Sequence, residues 1–281
     1  MLKSILVPTD FSVESSRVMR FASGMAALGT TRAVVAHVVE TSGMEGPVIA
    51  RTVDKSLEQL REMSQPLRDA GIDVEVRVAT GNPSHQIVAL AAENNVAALV
   101  CGTHGKAVIT KFFSGSVSED LVTSGEAPTM LARYDLMRNA ADPAELSRRF
   151  GRTLVFPTDF SASSTRALLA LCGLPKTAIG TVFVLHVLDS GLDDAKRAKA
   201  EAGADFELKN VAAMLAEKGI SAKCVIRAGD PKREVLREID ERRATGVITG
   251  TRGRAMLSEA VLGSVSMTLM RQASCPVVIV P

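Results

Sequence analysis

Tryptophan is absent from this 281-residue chain and tyrosine occurs once, so it lacks the aromatic platforms on which single-stranded bases stack. Charge of one sign is scarce as well: 33 Lys and Arg stand against 31 Asp and Glu, and a net charge of +2 gives no general field for nucleic acid. No nucleic-acid partner is expected. Apolar runs such as ILV and AALVCG are far too short to cross a bilayer, and Pro8-Thr9-Asp10 intervenes before a signal-peptide core forms. These absences read as a cytoplasmic protein with no membrane span. Cysteine is sparse: Cys101, Cys172, Cys224 and Cys275 stand singly in apolar segments without CxxC spacing, the pattern of buried thiols rather than of a metal or redox centre. No His/Glu cluster has zinc-ligand spacing, so no metal site built by a protein cluster is expected. The strings GxxxxGK[ST], GxGxxG after a first strand, and GxSxG do not occur, which excludes a P-loop, a dinucleotide fingerprint and a hydrolase elbow.

What the chain has is a repeat. GTHGKAVITKFFSGSVS (102–118) and GTRGRAMLSEAVLGSVS (250–266) share one frame, with Gly102, Gly105, Gly115 and Ser116 answering Gly250, Gly253, Gly263 and Ser264, each pair 148 residues apart. LVPTDFS likewise answers LVFPTDFS, AHVVE answers LHVLD, TGNP answers AGDP and Pro128 answers Pro276, at an offset of 149 early and 148 later. At 46% hydrophobic and 23% charged the composition is globular, and each copy is long enough to bury its own core. Domain 1 is expected over residues 1–134 and domain 2 over 152–281. Between them, 135–151 (DLMRNAADPAELSRRFG) carries Asp, Pro, Asn and clustered Arg and reads as an exposed linker.

Each copy alternates strand and helix. KSILVP and RTLVFP are continuous apolar runs of the kind buried parallel strands show, and Ser residues suited to helix capping follow each. Second strands are RAVVAHVVE and TVFVLHVLD; in the longer connection of the first copy, Ile49, Val53, Leu57, Leu60, Met63 and Leu67 recur at the spacing of one helical face. Third strands, third helices and fourth strands (AALVCGT, TGVITGT) follow, then a last helix and a terminal strand, TMLAR or VVIVP. This alternation predicts a parallel sheet with helices on both faces, in which ligands gather at the carboxyl ends of strands where the strand order reverses.

The distinctive residues fall in that zone. Glycines let backbone amides approach an anion, and a helix starting at Ser116 or Ser264 adds free amides and the positive end of its dipole, so a phosphate chain fits there. The opposite rim, Thr9-Asp10 or Thr158-Asp159, offers a hydroxyl and a carboxylate for ribose or Mg²⁺, while Val38 or Val187 is placed to contact a base. His104 and Lys106 stand where the second copy has Arg252 and Arg254, facing phosphates or solvent. His37 and His186 read as satisfied core histidines. A plain turn-forming role for the glycines is the competing explanation.

The frame G-x-x-G, nine residues, then G-[ST] is the signature of the ATP-binding branch of the universal stress protein family, and both copies match it; the chain resembles a tandem member of that family from ILVPTDFS to CPVVIVP. The resemblance implies two doubly wound five-stranded parallel α/β sheets of order 3-2-1-4-5, which puts the reversal between strands one and four. Carried over by position, it assigns a first nucleotide site to Pro8, Thr9, Asp10, Val38, Gly102, Gly105, Gly115, Ser116 and Val117. The second falls to Pro157, Thr158, Asp159, Val187, Gly250, Gly253, Gly263, Ser264 and Val265. It implies ATP, or AMP or ADP, with Mg²⁺ near Asp10 or Asp159, and pairing through the last strands: an internal pseudo-dimer of the two domains, or a homodimer of chains. The expected role is a nucleotide-responsive stress regulator. A slow ATPase and a nucleotide-free interaction module are the alternatives; no general base beyond Asp10 and Asp159 is visible, so no catalytic residue is assigned.

Overall fold

Continuous apolar runs become buried strands, and the residues after them become capped helices. The structure, a computed structural model, describes residues 2–103, 117–124, 127–191, 193–252 and 262–281. Two compact units divide the chain, residues 1–148 and 149–281.

In unit 1, SILVP forms β1 (Ser4–Pro8) with Ile5, Leu6 and Val7 wholly buried, as befits a strand covered on both faces. Ser12 caps α1 (Val13–Ser23) by accepting from the Ser15 amide. A 3-10 turn leads to β2 (Arg32–Val39), then α2 (Gly46–Met63), α3 (Gln65–Asp69), β3 (Asp73–Thr80), α4 (Pro83–Glu93), β4 (Ala98–Thr103), α5 (Val117–Ser124) and β5 (Thr129–Arg133). The long amphipathic stretch is divided at Ser64, because Pro66 has no amide to donate back to Glu62; Leu60 and Leu67 are buried on either side of the break. Every strand pair is parallel, and the order is β3-β2-β1-β4-β5. β1 ends with Pro8 opposite Ala36, which brings His37 of β2 beside the turn that leaves β1.

Residues 135–148, expected as exposed linker, fold onto unit 1 instead. They form most of α6 (Tyr134–Asn139) and all of α7 (Pro143–Arg148), and Met137, Ala144 and Ser147 are buried. Composition misled because the turn-forming residues act as helix starts: Asp142 Oδ1 accepts from the Ala144 amide at 3.1 Å, and Pro143 supplies a preset first helical position. Small residues then let α7 lie against α1 and the 3-10 turn, where Ser147 Oγ donates to the Phe21 carbonyl.

Unit 2 repeats the plan with β6 (Thr153–Pro157), α8 (Ala162–Cys172), β7 (Thr181–Leu188), α9 (Asp194–Glu217), β8 (Ser221–Ala228), α10 (Pro231–Glu241), β9 (Gly246–Gly250), α11 (Ser264–Gln272) and β10 (Val277–Val280). Its order is β8-β7-β6-β9-β10, again all parallel. The cysteine expectation needs correcting in part. Cys101 and Cys275 are buried, and burial pushes both thiols up to about 12, but Cys172 is half-buried and Cys224 is exposed. Cys224 lies on β8, the edge strand of its sheet, none of whose residues is buried. Among the described residues no helix is long and apolar enough to cross a membrane.

A Cβ on Gly24 would stand 2.1 Å from the Ala144 carbonyl oxygen and 2.3 Å from Ser147 Oγ. Gly24→Val is therefore expected to lower the stability of unit 1 by about 1–3 kcal/mol and to open residues 140–148 to limited proteolysis. A variant as stable and as protease-resistant as the wild type contradicts this docking of α7.

Candidate functional site

The turn that leaves the first strand is built the same way in both units. The Thr9 amide donates to the Ala36 carbonyl at 2.9 Å and the Thr158 amide to Leu185 at 2.8 Å, extending the sheet by one residue. The next bulky residue must then reverse the chain: Phe11 has φ 62° and Phe160 φ 59°, a left-handed conformation that costs a non-glycine residue about 1–3 kcal/mol. Three contacts offset that cost. Thr9 Oγ1 accepts from the Phe11 amide and Thr158 Oγ1 from the Phe160 amide, both at 3.0 Å. The same hydroxyls donate to Ser15 and Ser164. The phenyl rings meet His37 and His186, with ring centroids 4.3 and 4.7 Å apart.

His37 and His186 close the turn from the neighbouring strand. Each ring stands with Nδ1 2.8 Å from a carbonyl oxygen, of Thr9 or Thr158. A carbonyl only accepts, so Nδ1 carries the proton, and in the neutral ring Nε2 is an acceptor. Both histidines are half-buried and line the cavities described below.

Asp10 and Asp159 belong to the same turn. Asp10 Oδ1 accepts from the Ser12 amide at 3.0 Å and from the Ser12 hydroxyl, and Asp159 Oδ1 accepts from the Ser161 amide at 3.1 Å. Burial pushes the Asp10 carboxyl up, but the hydrogen bonds from Ser12 and Ser15 outweigh it and hold the group below the ordinary aspartate range.

A cavity opens over this turn in each unit, about 630 Å³ in unit 1 and about 340 Å³ in unit 2. Every described member of the two sequence-derived sets lines one of them: Pro8, Thr9, Asp10, Val38, Gly102 and Val117 in unit 1, their counterparts with Gly263 and Ser264 in unit 2. Gly105, Gly115, Ser116 and Gly253 lie outside the described residues. Gly81-Asn82-Pro83 is legible in the sequence as ending strand three in the ligand zone, but the two site sets leave out Pro83 and Pro231, and sequence reasoning missed Ile87 and Val235; together these supply an apolar wall from the first turns of α4 and α10. Their signal was the proline closing the Gly-x-Pro turn after strand three and the apolar residue one helical turn on. It also missed Tyr134, the only tyrosine, which follows β5 directly.

The glycines divide by role. A Cβ on Gly102 would stand 2.5 Å from a Tyr134 ring carbon, and one on Gly250 would stand 2.4 Å from Ser163 Oγ. These two serve packing at the strand end, as the turn explanation requires. Gly263 is different. Its φ of −63° and ψ of 148° suit any residue, yet it stands at the N-cap of α11 and offers no side-chain acceptor. The helices α1, α4, α8 and α10 open on Ser12, Asn82, Ser161 and Asp230, each accepting from a first-turn amide. Among the described residues, α11 therefore meets its cavity with first-turn amides that no N-cap side chain satisfies. Ser266 Oγ donates to the Gly250 carbonyl at 2.7 Å, and Ser118 to Gly102 at 3.2 Å, fixing these helices to the strand ends. Among the described residues no group of three or more His, Cys, Asp or Glu is placed to hold a metal ion.

Two doubly wound parallel units, each with a cavity at its strand-order reversal, define the class of protein. The model of the universal stress protein family matches residues 1–133 and again 151–281, and the chain belongs to that family. Universal stress protein MJ0577 of Methanocaldococcus jannaschii is 21% identical over 155 residues, 47% of this chain and 96% of that protein. Universal stress protein YxiE of Bacillus subtilis is 28% identical over 123 residues, 42% of this chain and 82% of that protein. A universal stress protein crystal structure from Archaeoglobus fulgidus matches 99% of this chain and 95% of its own, with a TM-score of 0.76 and 25% identity.

With its folded-state value below the unfolded reference of 3.8, the charged form of Asp10 stabilises the turn above that pH, and the contribution is lost as pH falls through the folded-state value. Wild type is expected to be more stable than Asp10→Asn at neutral pH, with the gap closing as pH is lowered below 3.8 and through the depressed folded-state value. Unfolding midpoints that keep a constant or widening gap toward acid contradict the assignment.

Proposed function

We propose that each unit binds an adenine nucleotide in its cavity, and that occupancy, more than turnover, is what the cell reads in a stress response. The start of α11 carries the proposal: among the described residues, the Ser264, Val265 and Ser266 amides meet the cavity without an N-cap side chain, where the helix dipole adds positive potential. Phosphate oxygens suit these amides as acceptors. Thr158 and Asp159 on the opposite rim suit a ribose hydroxyl or a hydrated Mg²⁺, and Val187, Pro231 and Val235 offer an apolar wall to a base. In unit 1 the same parts fall to Asp10, Val38, Pro83 and Val117, and the frame residues Gly105, Gly115, Ser116 and Gly253 enter on sequence alone. Asp10 Oδ1 is tied into the turn, and a carboxyl held below its ordinary range is a weak general base, which favours binding over a slow ATPase. A cytoplasmic location and pairing of domains or chains through the apolar edge strands β5 and β10 complete the reading.

Calorimetry with ATP and ADP tests it. Gly263→Val, allowed by the local backbone, is expected to abolish binding in unit 2 with the thermal unfolding of the ligand-free chain little changed. Ser264→Ala keeps the backbone and removes one hydroxyl, and is expected to weaken affinity by about 1 kcal/mol, or roughly fivefold. Unaltered affinity in both variants overturns the phosphate assignment.

A further inference from the structure

The helices that follow the second strands, α2 with α3 in unit 1 and α9 in unit 2, answer one another at the later offset of the repeat. Ala204, Leu208 and Leu215 are buried on α9 where Ser56, Leu60 and Leu67 are buried in unit 1. The inner faces therefore match. The outer faces do not.

On α9, Lys199, Gly203, Phe206, Asn210, Ala213 and Glu217 follow one another at alternating steps of four and three residues, the spacing of one stripe along a helix, and all six are exposed. Their counterparts Arg51, Lys55, Glu58, Glu62, Gln65 and Asp69 are exposed as well, and they are ionised throughout except for the glutamine, as suits a helix face turned to water. The second copy keeps charge only at the two ends of its stripe, with opposite signs. Between those ends Phe206 is 64% exposed, and Met214 is exposed at the flank. Lys209, on the other flank, is paired with Asp205 at 2.6 Å.

Gly203 is an independent sign of close approach. An interior glycine weakens a helix relative to alanine, yet a Cβ at this position would meet no described atom of the chain within 4 Å. Nothing inside the described fold requires it. A helix of another molecule crossing there would.

We propose that α9 is a self-association surface, through which two copies of the chain pair antiparallel about a two-fold axis level with Leu208, midway between Phe206 and Asn210. In that register each Lys199 meets the partner's Glu217, each Gly203 meets the partner's Ala213, and Phe206 lies across the partner's Asn210. The stripe is thus complementary to itself, as a two-fold contact requires. A parallel pair would set Lys199 against Lys199 and Glu217 against Glu217, so charge selects the antiparallel arrangement. The small residues let the helix axes approach to about 8 Å. One helix pair buries less than a standard interface, so the association is weak and reversible. The proposal is independent of the nucleotide reading and of pairing through β5 and β10.

Sedimentation of the full chain across a concentration series tests it. The mass of the wild type is expected to double with rising concentration. Phe206→Glu and Gly203→Lys install the residues of the first copy at exposed positions, and each is expected to weaken that step by more than about tenfold. Thermal unfolding, measured where the chain is undimerised, is expected to be unchanged for Phe206→Glu and not lowered for Gly203→Lys, because lysine is the better helix former. Glu217→Lys is expected to weaken association about fivefold, and adding Lys199→Glu to restore it. A mass that stays constant up to about 1 mM overturns the proposal. So does association that survives both Phe206→Glu and Gly203→Lys, in which case another surface, such as the edge strands, holds the copies together. Failure of Lys199→Glu to restore what Glu217→Lys weakens overturns the antiparallel register.

Discussion

Both cavities depend on one strained turn. After Pro-Thr-Asp the chain must leave the sheet, start a helix and keep the strand end open, and it does so by forcing a phenylalanine into the left-handed region. That geometry persists because the threonine hydroxyl, the serine cap and a histidine from the neighbouring strand all bond to the turn. The cost, about 1–3 kcal/mol, falls where it holds the Asp and Thr side chains at the rim of the cavity. Occurrence of the same arrangement in both units, down to the His Nδ1 contact of 2.8 Å, marks it as a feature of the sequence pattern rather than of one local environment.

The glycine-rich frame divides into two physical functions. Gly102 and Gly250 are small because a helix, or Tyr134, leaves no room for a side chain over the strand end. Gly263 is under no such backbone demand from its dihedral angles, and its consequence is electrostatic: a helix start with no side-chain cap beside a cavity. A single motif thus joins a packing constraint to the helix start at which we propose an anion binds. The explanation by turn geometry is right for the first glycine of the frame and insufficient for Gly263.

Much of the architecture was legible in the sequence. Runs such as ILV and LVF leave little choice but buried parallel strands, and the repeat places equivalent residues at equivalent strand ends, which is why the described members of each site set meet in one cavity. Features that depend on neighbours distant in sequence were not legible. The segment from Asp135 reads as linker by composition, yet Ala144 and Ser147 are small enough to dock on Gly24, more than a hundred residues away. Cys224 reads as buried by its apolar flanks, but β8 lies at a sheet edge. The histidines were seen as satisfied, though no local pattern says that their partner is the carbonyl of the turn itself. Tyr134 escaped because its role comes from the helix that follows β5, a helix the linker reading did not anticipate.

The central claim is that the uncapped start of α11 exists for a phosphate. Native mass spectrometry of the intact chain, purified without added nucleotide and then exposed to ATP, tests it most directly. The account predicts a nucleotide adduct on the wild-type chain that either survives purification or appears at micromolar ATP, and one adduct fewer for Gly263→Val. A chain that stays free of nucleotide at millimolar ATP while remaining folded would contradict it.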